Sequence, residues 1–566
     1  MFKTNKCNQL RLDDPLTSMP KYLNKILENS WAHYFRKHIF PNINEDRFSV
    51  LYSDKNSRPN TPVNIIIGLL TLKELMKLTD EELIGSLHFD LRYQYALCTT
   101  SMEKQPVSIN TLYNFRQRVY EYTQKTGIDL IEKESEHLSK VIAELLEIDE
   151  SLNRMDSFMV SSSCKNMSRT ELVYATNYKF IKQLEKIDKN LIPEECLCYL
   201  EKGHKNETIY KSKSSEIESK LEKLLRHSIL LYETFNNSTD EIKNTESYQL
   251  LKRMIEDQSN YDEVNDNYIV KEGKDIAPDS LQNPNDPDAT YRYKYGDNNG
   301  YTVNVLENFN ANTGVISSYD IKENIYSDTK FSKDVIDEMV KTKKPKKILV
   351  DSGYHSQEVA KKAKEKNIEI IPGELKGRKP SKDKISPCEF EVDEKKKQIV
   401  LCPNNKKPIS SKYNKNTKMY RAKFSKKDCN NCLLKDKCRI KKQKKSNLIQ
   451  FSSNHYKNSK LRKKMSTKEY IELTNKRSGV EGIPSVMRRR YNIDTVPVRG
   501  KVRLKFWLGF KVIAYNFKKL LKELPFLYFG SKIWKSLQNK LKIQKNGKLE
   551  IFKHLKVQKN FGVLVG

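Results

Sequence analysis

Apolar residues recur at helical spacing through the first 150 positions. Val63–Lys77 carries them at the 3.6-residue period, with Pro62 suited to a first helical turn. Thr79-Asp-Glu-Glu82 opens the next helix with a capping residue and an acidic first turn. A third segment, Val107-Ser-Ile-Asn-Thr-Leu-Tyr-Asn-Phe-Arg-Gln-Arg118, has Ser108 or Asn110 as its cap and would expose Tyr113, Arg116 and Arg118. These elements predict a small helical bundle or, in a sharper form, a helix-turn-helix DNA reader.

Residues 165 to 290 break that pattern. Ser215 to Gln258 is highly charged with Leu and Ile at helical spacing, which predicts one or two long helices. Lys274 to Ala289 is rich in Asp, Asn and Pro and reads as an irregular connection. The whole stretch has the character of an insertion.

From Gly300 the period becomes two. Tyr301–Leu306 and Val315–Ile321 alternate as strands do, and Asn310-Ala-Asn-Thr-Gly314 between them predicts a hairpin. Ile348-Leu-Val350 is a short apolar run ending at Asp351-Ser-Gly353. A helical pattern follows from Ser356 to about Lys366, and then an apolar strand at Ile368–Ile371. Strand, helix and strand imply a right-handed parallel βαβ unit. The sum is an α/β fold: a mixed sheet with helices on it.

Charge changes the picture more by its placement than by its amount. The formal net charge is +32, yet Leu401 to Gly566 holds 44 Lys+Arg against 8 Asp+Glu. The other 400 residues carry 60 basic and 64 acidic side chains, a net of −4. A general lysine bias would enrich the whole chain. Clustered cations instead point to a polyanion, since they gain affinity by displacing phosphate counterions. Nucleic acid is favoured over an acidic membrane surface. No apolar run is long enough to span a bilayer, and the N-terminus lacks the apolar stretch of a signal peptide, so an intracellular, cytoplasmic protein is expected.

Three carboxylates stand out, and each has a plainer reading beside it. Asp351 follows an apolar strand and precedes Gly353, which places it at the carboxyl end of a sheet strand, where α/β sheets bind ligands. Taken alone, an Asp that caps the following helix or turn is the plainer reading. Asp156 lies in Leu152-Asn-Arg-Met-Asp-Ser-Phe-Met-Val160, where a partly buried charge needs a partner or a metal. Glu481 is one of the few acids of the basic third, and a surface ion pair with Arg477 is the simple account of it.

Taken in order, these residues resemble bacterial insertion-sequence DDE transposases. Arg477-x3-Glu481-x6-Arg488 is similar to that family's third motif, with Arg488 in place of its Lys and Thr474 where it has Tyr. Asp351-Ser-Gly-Tyr354 resembles the surroundings of the second acid. Asn283-Pro-Asn-Asp-Pro-Asp-Ala-Thr resembles the lead-in to the second strand. Pro62 to Arg118 resembles the N-terminal helical domain, and Arg499 through Leu520 the C-terminal helix.

The resemblance implies an RNase H-like core in which Asp156, Asp351 and Glu481 are catalytic and hold two Mg²⁺ (or Mn²⁺) ions. It implies metal-dependent cleavage and strand transfer at terminal inverted repeats. The partners are then double-stranded DNA, both transposon ends and target, and a homo-oligomer on that DNA in the nucleoid. Arg477, Arg488, Arg489 and Arg116 are the expected DNA contacts. An RNase H-like nuclease that cuts without joining, or an inactive DNA-binding regulator, is the alternative.

Cys429-Asn-Asn-Cys432, with Cys438 after it and Cys402 before, reads as a structural Zn²⁺ knuckle. It would fold a small Lys-rich segment with no core of its own. The expected organisation is a DNA-end-binding helical domain at 1–150 and a catalytic domain at 151–380 and 460–525. That domain would be interrupted by a helical insertion at about 165–290 and a cysteine-rich insertion at 385–445, with a basic tail at 526–566.

Overall fold

The computed structural model describes residues 1–543 apart from 6–13, 54, 56–57, 102–104, 212, 295, 312, 341–345, 378–380 and 382; for 214 and 525–543 it describes the backbone alone. The chain is mixed α/β, with helices packed on a mixed sheet.

The N-terminal helices form where their caps lie. After two short helices, Lys21–Glu28 and Trp31–His38, α1 (Val63–Met76) starts behind Pro62 and is buried on nearly every side. Thr79 and Glu82 exchange hydrogen bonds with each other's backbone N–H at the head of α2 (Asp80–Phe89). Ser108, rather than Asn110, caps α3 (Ile109–Thr126), which ends at Gly127 with φ +71°. Asp129 caps α4 (Leu130–Leu145).

Six strands make the main sheet: β1 (Leu152–Ser161), β2 (Thr290–Tyr293), β3 (Asp297–Phe309), β4 (Gly314–Glu323), β5 (Lys346–Val350) and β6 (Ile368–Pro372). The order is β4-β3-β1-β5-β6, with β2 on the first residues of β3. β3 is antiparallel to β1 and β4, whereas β1, β5 and β6 run parallel. The expected hairpin is β3–β4. The expected βαβ unit is β5, α9 (Gln357–Glu365) and β6, preceded by α8 (Asp328–Glu338).

Alternation along β1 sends its side chains to two different cores. Met155 packs with Phe331, Ile336, Ile348 and Val359 under α8 and α9. Phe158 and Val160 belong instead to a core shared by the N-terminal helices, β3, β4 and the C-terminal helix α12 (Lys501–Ile543). The N-terminal helices therefore close no core apart from the sheet. Asn516 of α12 pins this junction. Its amide donates to Ile316 O and Ser139 Oγ, both at 2.8 Å, and accepts from Ile316 N at 2.9 Å, so the buried amide is fully paired.

The insertion after β1 is helical, with α5 (Arg169–Ile187), α6 (Ile217–Asn236) and α7 (Glu246–Gln258) around a separate core of Phe180, Leu225, Leu231, Leu251 and Met254. Two of these helices fall where the sequence pattern places them, and α5 is an addition.

The cysteine-rich segment corrects an expectation. It does build a core, on an antiparallel sheet of β7 (Ser410–Asn414), β8 (Met419–Phe424), β9 (Lys441–Lys442) and β10 (Asn447–Ser452). Strict alternation in β8 turns Tyr420, Ala422 and Phe424 inward against Ile449 and Phe451. The sheet also extends past residue 445, the expected boundary.

Two helices, α10 (Lys468–Arg477) and α11 (Gly482–Tyr491), then return the chain to the main sheet. The α12 backbone continues without a break through residue 525, and residues 544–566 of the expected tail lie outside the described residues. None of the described helices is long and apolar enough to cross a membrane.

Candidate active site

β1 is longer than its parallel neighbour, and this opens the site. The β1–β5 register runs Leu152–Lys347, Asn153–Ile348 and Arg154–Leu349, and β5 stops at Val350. Asp156 and Asp351 each come two residues after the last registered pair. Asp156 lies within β1, and Asp351 in the turn that follows the carboxyl end of β5.

Asp156 is largely buried and accepts from Ser157 N at 2.9 Å. Burial is the main reason its carboxyl is pushed up to about 6. The negative charges of Asp351 and Glu481 add to the rise, while the Ser157 N–H and the Arg477 guanidinium oppose it. Asp351, Glu481 and Arg477 therefore all act on Asp156 electrostatically.

Asp351 is exposed and begins a tight turn in which Tyr354 N donates to Asp351 O at 3.1 Å. The N-terminus of α8 holds that turn from behind. Thr329 Oγ1 donates to Gly353 O and Ser332 Oγ to Tyr354 O, both at 2.9 Å. A Cβ on Gly353 would sit 2.6 Å from Asp328 Oδ2, so glycine permits the close approach. Asp328 also accepts from Ser157 Oγ at 3.0 Å, and Tyr354 donates to Asn304 Oδ1 at 2.9 Å. The turn is thus fastened to β1 and β3.

Glu481 ends a single 3₁₀ turn, Ser478–Glu481, between α10 and α11. Its side chain is 58% exposed and pairs with Arg477 at 2.8 Å, while Arg477 is only 19% exposed. Arg477 is sunk beside Gly373, just past β6, where its Nε lies 3.5 Å from the position of a glycine Cβ. The ion pair read from sequence is present, and both of its charges act on the Asp156 carboxyl.

Among the described residues, no group of three or more His, Cys, Asp or Glu side chains is arranged to hold a metal ion as it stands. The acids are neighbours in charge without being closed around one point.

The other expected DNA contacts are differently placed. Arg488 donates to Asp494 Oδ1 at 3.2 Å and to Met159 O of β1 at 3.3 Å. Arg489 is exposed, with a 3.4 Å contact to Ser485 O. Arg116 is engaged inside the helical domain: both terminal guanidinium nitrogens donate to Asp80, at 2.6 and 2.9 Å, and hold that carboxyl well below the usual range. A phosphate would have to compete with that pair.

Sequence reasoning missed Tyr470. Thr474, at the position where the resembled motif has Tyr, turns its hydroxyl onto Ile471 O. One helical turn earlier, Tyr470 is buried and donates to Pro372 O at 2.8 Å, docking α10 on the end of β6. An aromatic four residues before Thr474, on the same helix face, was the available signal. The Asn283–Thr290 segment also has a structural role: buried Asp286 accepts from Ser162, Tyr301 and Gly500 N, joining β1, β3 and the start of α12.

The four cysteines Cys402, Cys429, Cys432 and Cys438 line one pocket walled by Ile385, Phe390, Phe424 and Ile449. Lys406 N donates to Cys402 Sγ at 3.4 Å across a turn closed by Cys402 N to Lys406 O at 3.0 Å. Burial pushes the Cys438 thiol up to about 11, with the other three cysteines adding to it. Cys98, Cys164, Cys196, Cys198 and Cys388 lie elsewhere in the chain, and Cys7 lies outside the described residues.

Two family models match the chain. A transposase DDE domain matches residues 401–521, which include Glu481 and the four cysteines. A transposase domain (DUF772) matches residues 23–118, the N-terminal helices. Together they support an insertion-sequence DDE transposase. No curated protein and no solved structure matches the chain.

Proposed function

We propose that this chain, a DDE transposase of the insertion-sequence kind by its two family matches, cuts and rejoins DNA at the terminal inverted repeats of its own element. The observation that carries the reading is that Asp156 and Asp351 each come two residues after the last registered pair of two parallel strands, with Asp351, Glu481 and Arg477 all acting on the Asp156 carboxyl by charge. The strand order β4-β3-β1-β5-β6, with β3 alone antiparallel to β1, supports an RNase H-like core.

Asp156, Asp351 and Glu481 are the residues that would hold two Mg²⁺ or Mn²⁺ ions. Three facts fit: hard oxygen donors, the charges of Asp351 and Glu481 acting on Asp156, and a largely buried Asp156 carboxylate that accepts from the Ser157 N–H. When bound, such ions activate water or a 3′-hydroxyl and neutralise charge at the phosphate. Asp156 must give up its proton to ligate, which the Arg477 cation favours. Arg477 also holds the Glu481 carboxylate, and its guanidinium can turn to a non-bridging phosphate oxygen. Arg488, Arg489 and the lysines of the last third would carry DNA by phosphate contacts. Two transposon ends brought together imply a homo-oligomer on the DNA.

The cysteine set fits a tetrahedral Zn²⁺: four thiols around one pocket, one already receiving a backbone N–H as metal-bound thiolates do. The ion would brace the turns at Cys402 and Cys429–Cys438 on the small sheet.

The test is a duplex bearing the repeats that bracket the gene, incubated with protein, Mg²⁺ and a target plasmid. Cleaved ends joined to the plasmid are expected. Cleavage without joining would replace this reading with a nuclease, and binding without cleavage would replace it with a regulator.

A further inference from the structure

We propose that Arg154 is a positioning residue that sets the distance of Glu481 from Asp156, and that Gly479 lacks a side chain so that Arg154 can reach across it. The inference rests on the catalytic reading of the three acids given above.

Arg154 lies two residues before Asp156 on β1, so the strand period puts both on one face. Its directly opposed residue on β3 is Glu307, and Arg154 Nε donates to Glu307 Oε2 at 2.5 Å. The Glu307 side chain is 1% exposed, which fixes one edge of the guanidinium from below. The Arg154 guanidinium carbon sits 4.5 Å from the centre of the Phe309 ring, which fixes its plane. The other edge reaches upward: Nη1 donates to Lys476 O at 2.7 Å.

Lys476 O is one of the last carbonyls of α10, which the helix itself leaves unpaired. Three residues on, a Cβ at Gly479 would collide with Arg154 Nη1 and with its Cζ. The guanidinium therefore touches the chain at 476 and 479, immediately before Glu481. Glu481 itself is exposed and pairs with Arg477, which belongs to the same segment. Among the described residues, two hydrogen bonds tie the 468–491 stretch to β1. One is Arg154 to Lys476 O, on the near side of Glu481, and the other is Arg488 to Met159 O, on the far side.

A catalytic constellation has to be held within about 0.5 Å, and its supporting groups do the holding. An arginine suits the task because its planar fork serves two partners in fixed directions, whereas a lysine ammonium on a flexible stem does not. Arg154 touches neither DNA nor the reacting atoms in this account.

The experiment compares wild type, R154K, R154A and G479A, each bound to the repeat-bearing duplex. Four quantities are read: affinity for the duplex, end cleavage, Mn²⁺ bound as followed by electron paramagnetic resonance, and melting temperature. R154K keeps a cation for Glu307 and should melt near wild type, yet lose about 10²-fold in cleavage. The Mn²⁺ concentration for half-saturation should rise about tenfold or more. G479A should do the same with every charge in place, and it covers the case in which R154A fails to fold. DNA affinity should not change in either.

R154K or G479A with wild-type cleavage and Mn²⁺ response would overturn the proposal. So would losses that follow only the fraction of folded protein. A wild-type complex that binds Mn²⁺ at none of these concentrations and does not cleave would overturn the catalytic reading beneath it, a result distinct from either.

Discussion

Asp156 and Asp351 each lie two residues beyond Arg154–Leu349, the last registered pair of two parallel neighbouring strands. β5 ends at Val350 while β1 continues to Ser161, so one aspartate sits within a strand and the other in the turn after one. That difference sets their environments. Asp156 is largely buried and its carboxyl rises to about 6, while Asp351 faces solvent.

Arg477 pairs with Glu481 and opposes the rise of the Asp156 carboxyl. Replacing it with glutamine removes that ion pair and its positive charge on Asp156. Cleavage by R477Q should fall by about 10²-fold, in the range for removing one preorganised charge from such a site. DNA binding should fall much less. Single-turnover cleavage with a separate DNA titration checks this, and equal losses in both would make Arg477 a simple DNA contact.

Tyr470 anchors the helix that leads to Glu481. Y470F removes the bond to Pro372 O and should cost about 1 kcal/mol. Y470A should cost about 3–5 kcal/mol, because it also empties a site packed among Phe309, Leu349 and Ile371. Denaturant unfolding measures both. A Y470A protein as stable as wild type would show that α10 docks by other contacts.

The four thiols predict about one zinc per chain. Elemental analysis of purified protein checks the content, and C432S should lower it along with the melting temperature. Protein that carries no zinc when purified from zinc-supplied cells would remove the knuckle from the account.

A pH effect should appear away from the acids of the site. Glu132 of α4 is buried against Lys505 of α12 at 2.8 Å, and burial raises its carboxyl to about 7. Lys505 and its hydrogen bond pull it down, Asp129 and Glu136 push it further up, and Asp320 shares Lys505 at 3.4 Å. A carboxyl raised on folding adds stability that is complete below its unfolded value, near 4.3, and is lost as pH rises through about 7. Melting temperature should therefore decline across that window, and E132Q should flatten the decline. An unchanged slope in E132Q would assign the effect to other groups.

Much of this architecture is legible in the sequence, for local reasons. The Thr79–Glu82 capping box, the β3–β4 hairpin and the β5–α9–β6 unit each announce themselves through period and punctuation, and all are present. What was not legible depends on contacts far apart in the chain. The N-terminal helices look like an independent bundle until α12, nearly 400 residues later, completes their core. The basic cysteine segment looked too polar to fold alone because its apolar residues alternate singly with lysines, as in Tyr420-Arg-Ala-Lys-Phe424. Arg116 looked like a free cation because its partner Asp80 lies on another helix. Arg154 could not be singled out, since its meaning comes from Lys476 and Gly479, over 300 residues away.

We propose that Asp156, Asp351 and Glu481 form one metal-dependent centre that cuts and joins DNA. Its most direct measurement is cleavage and joining of a repeat-bearing duplex by wild type and D351N, with Mg²⁺ and with chelator. Wild type should yield joined product with Mg²⁺ alone, and D351N should bind the duplex equally well yet cleave at least about 10³-fold more slowly, a barrier increase of about 4 kcal/mol. Metal-dependent cleavage retained by D351N would contradict the account.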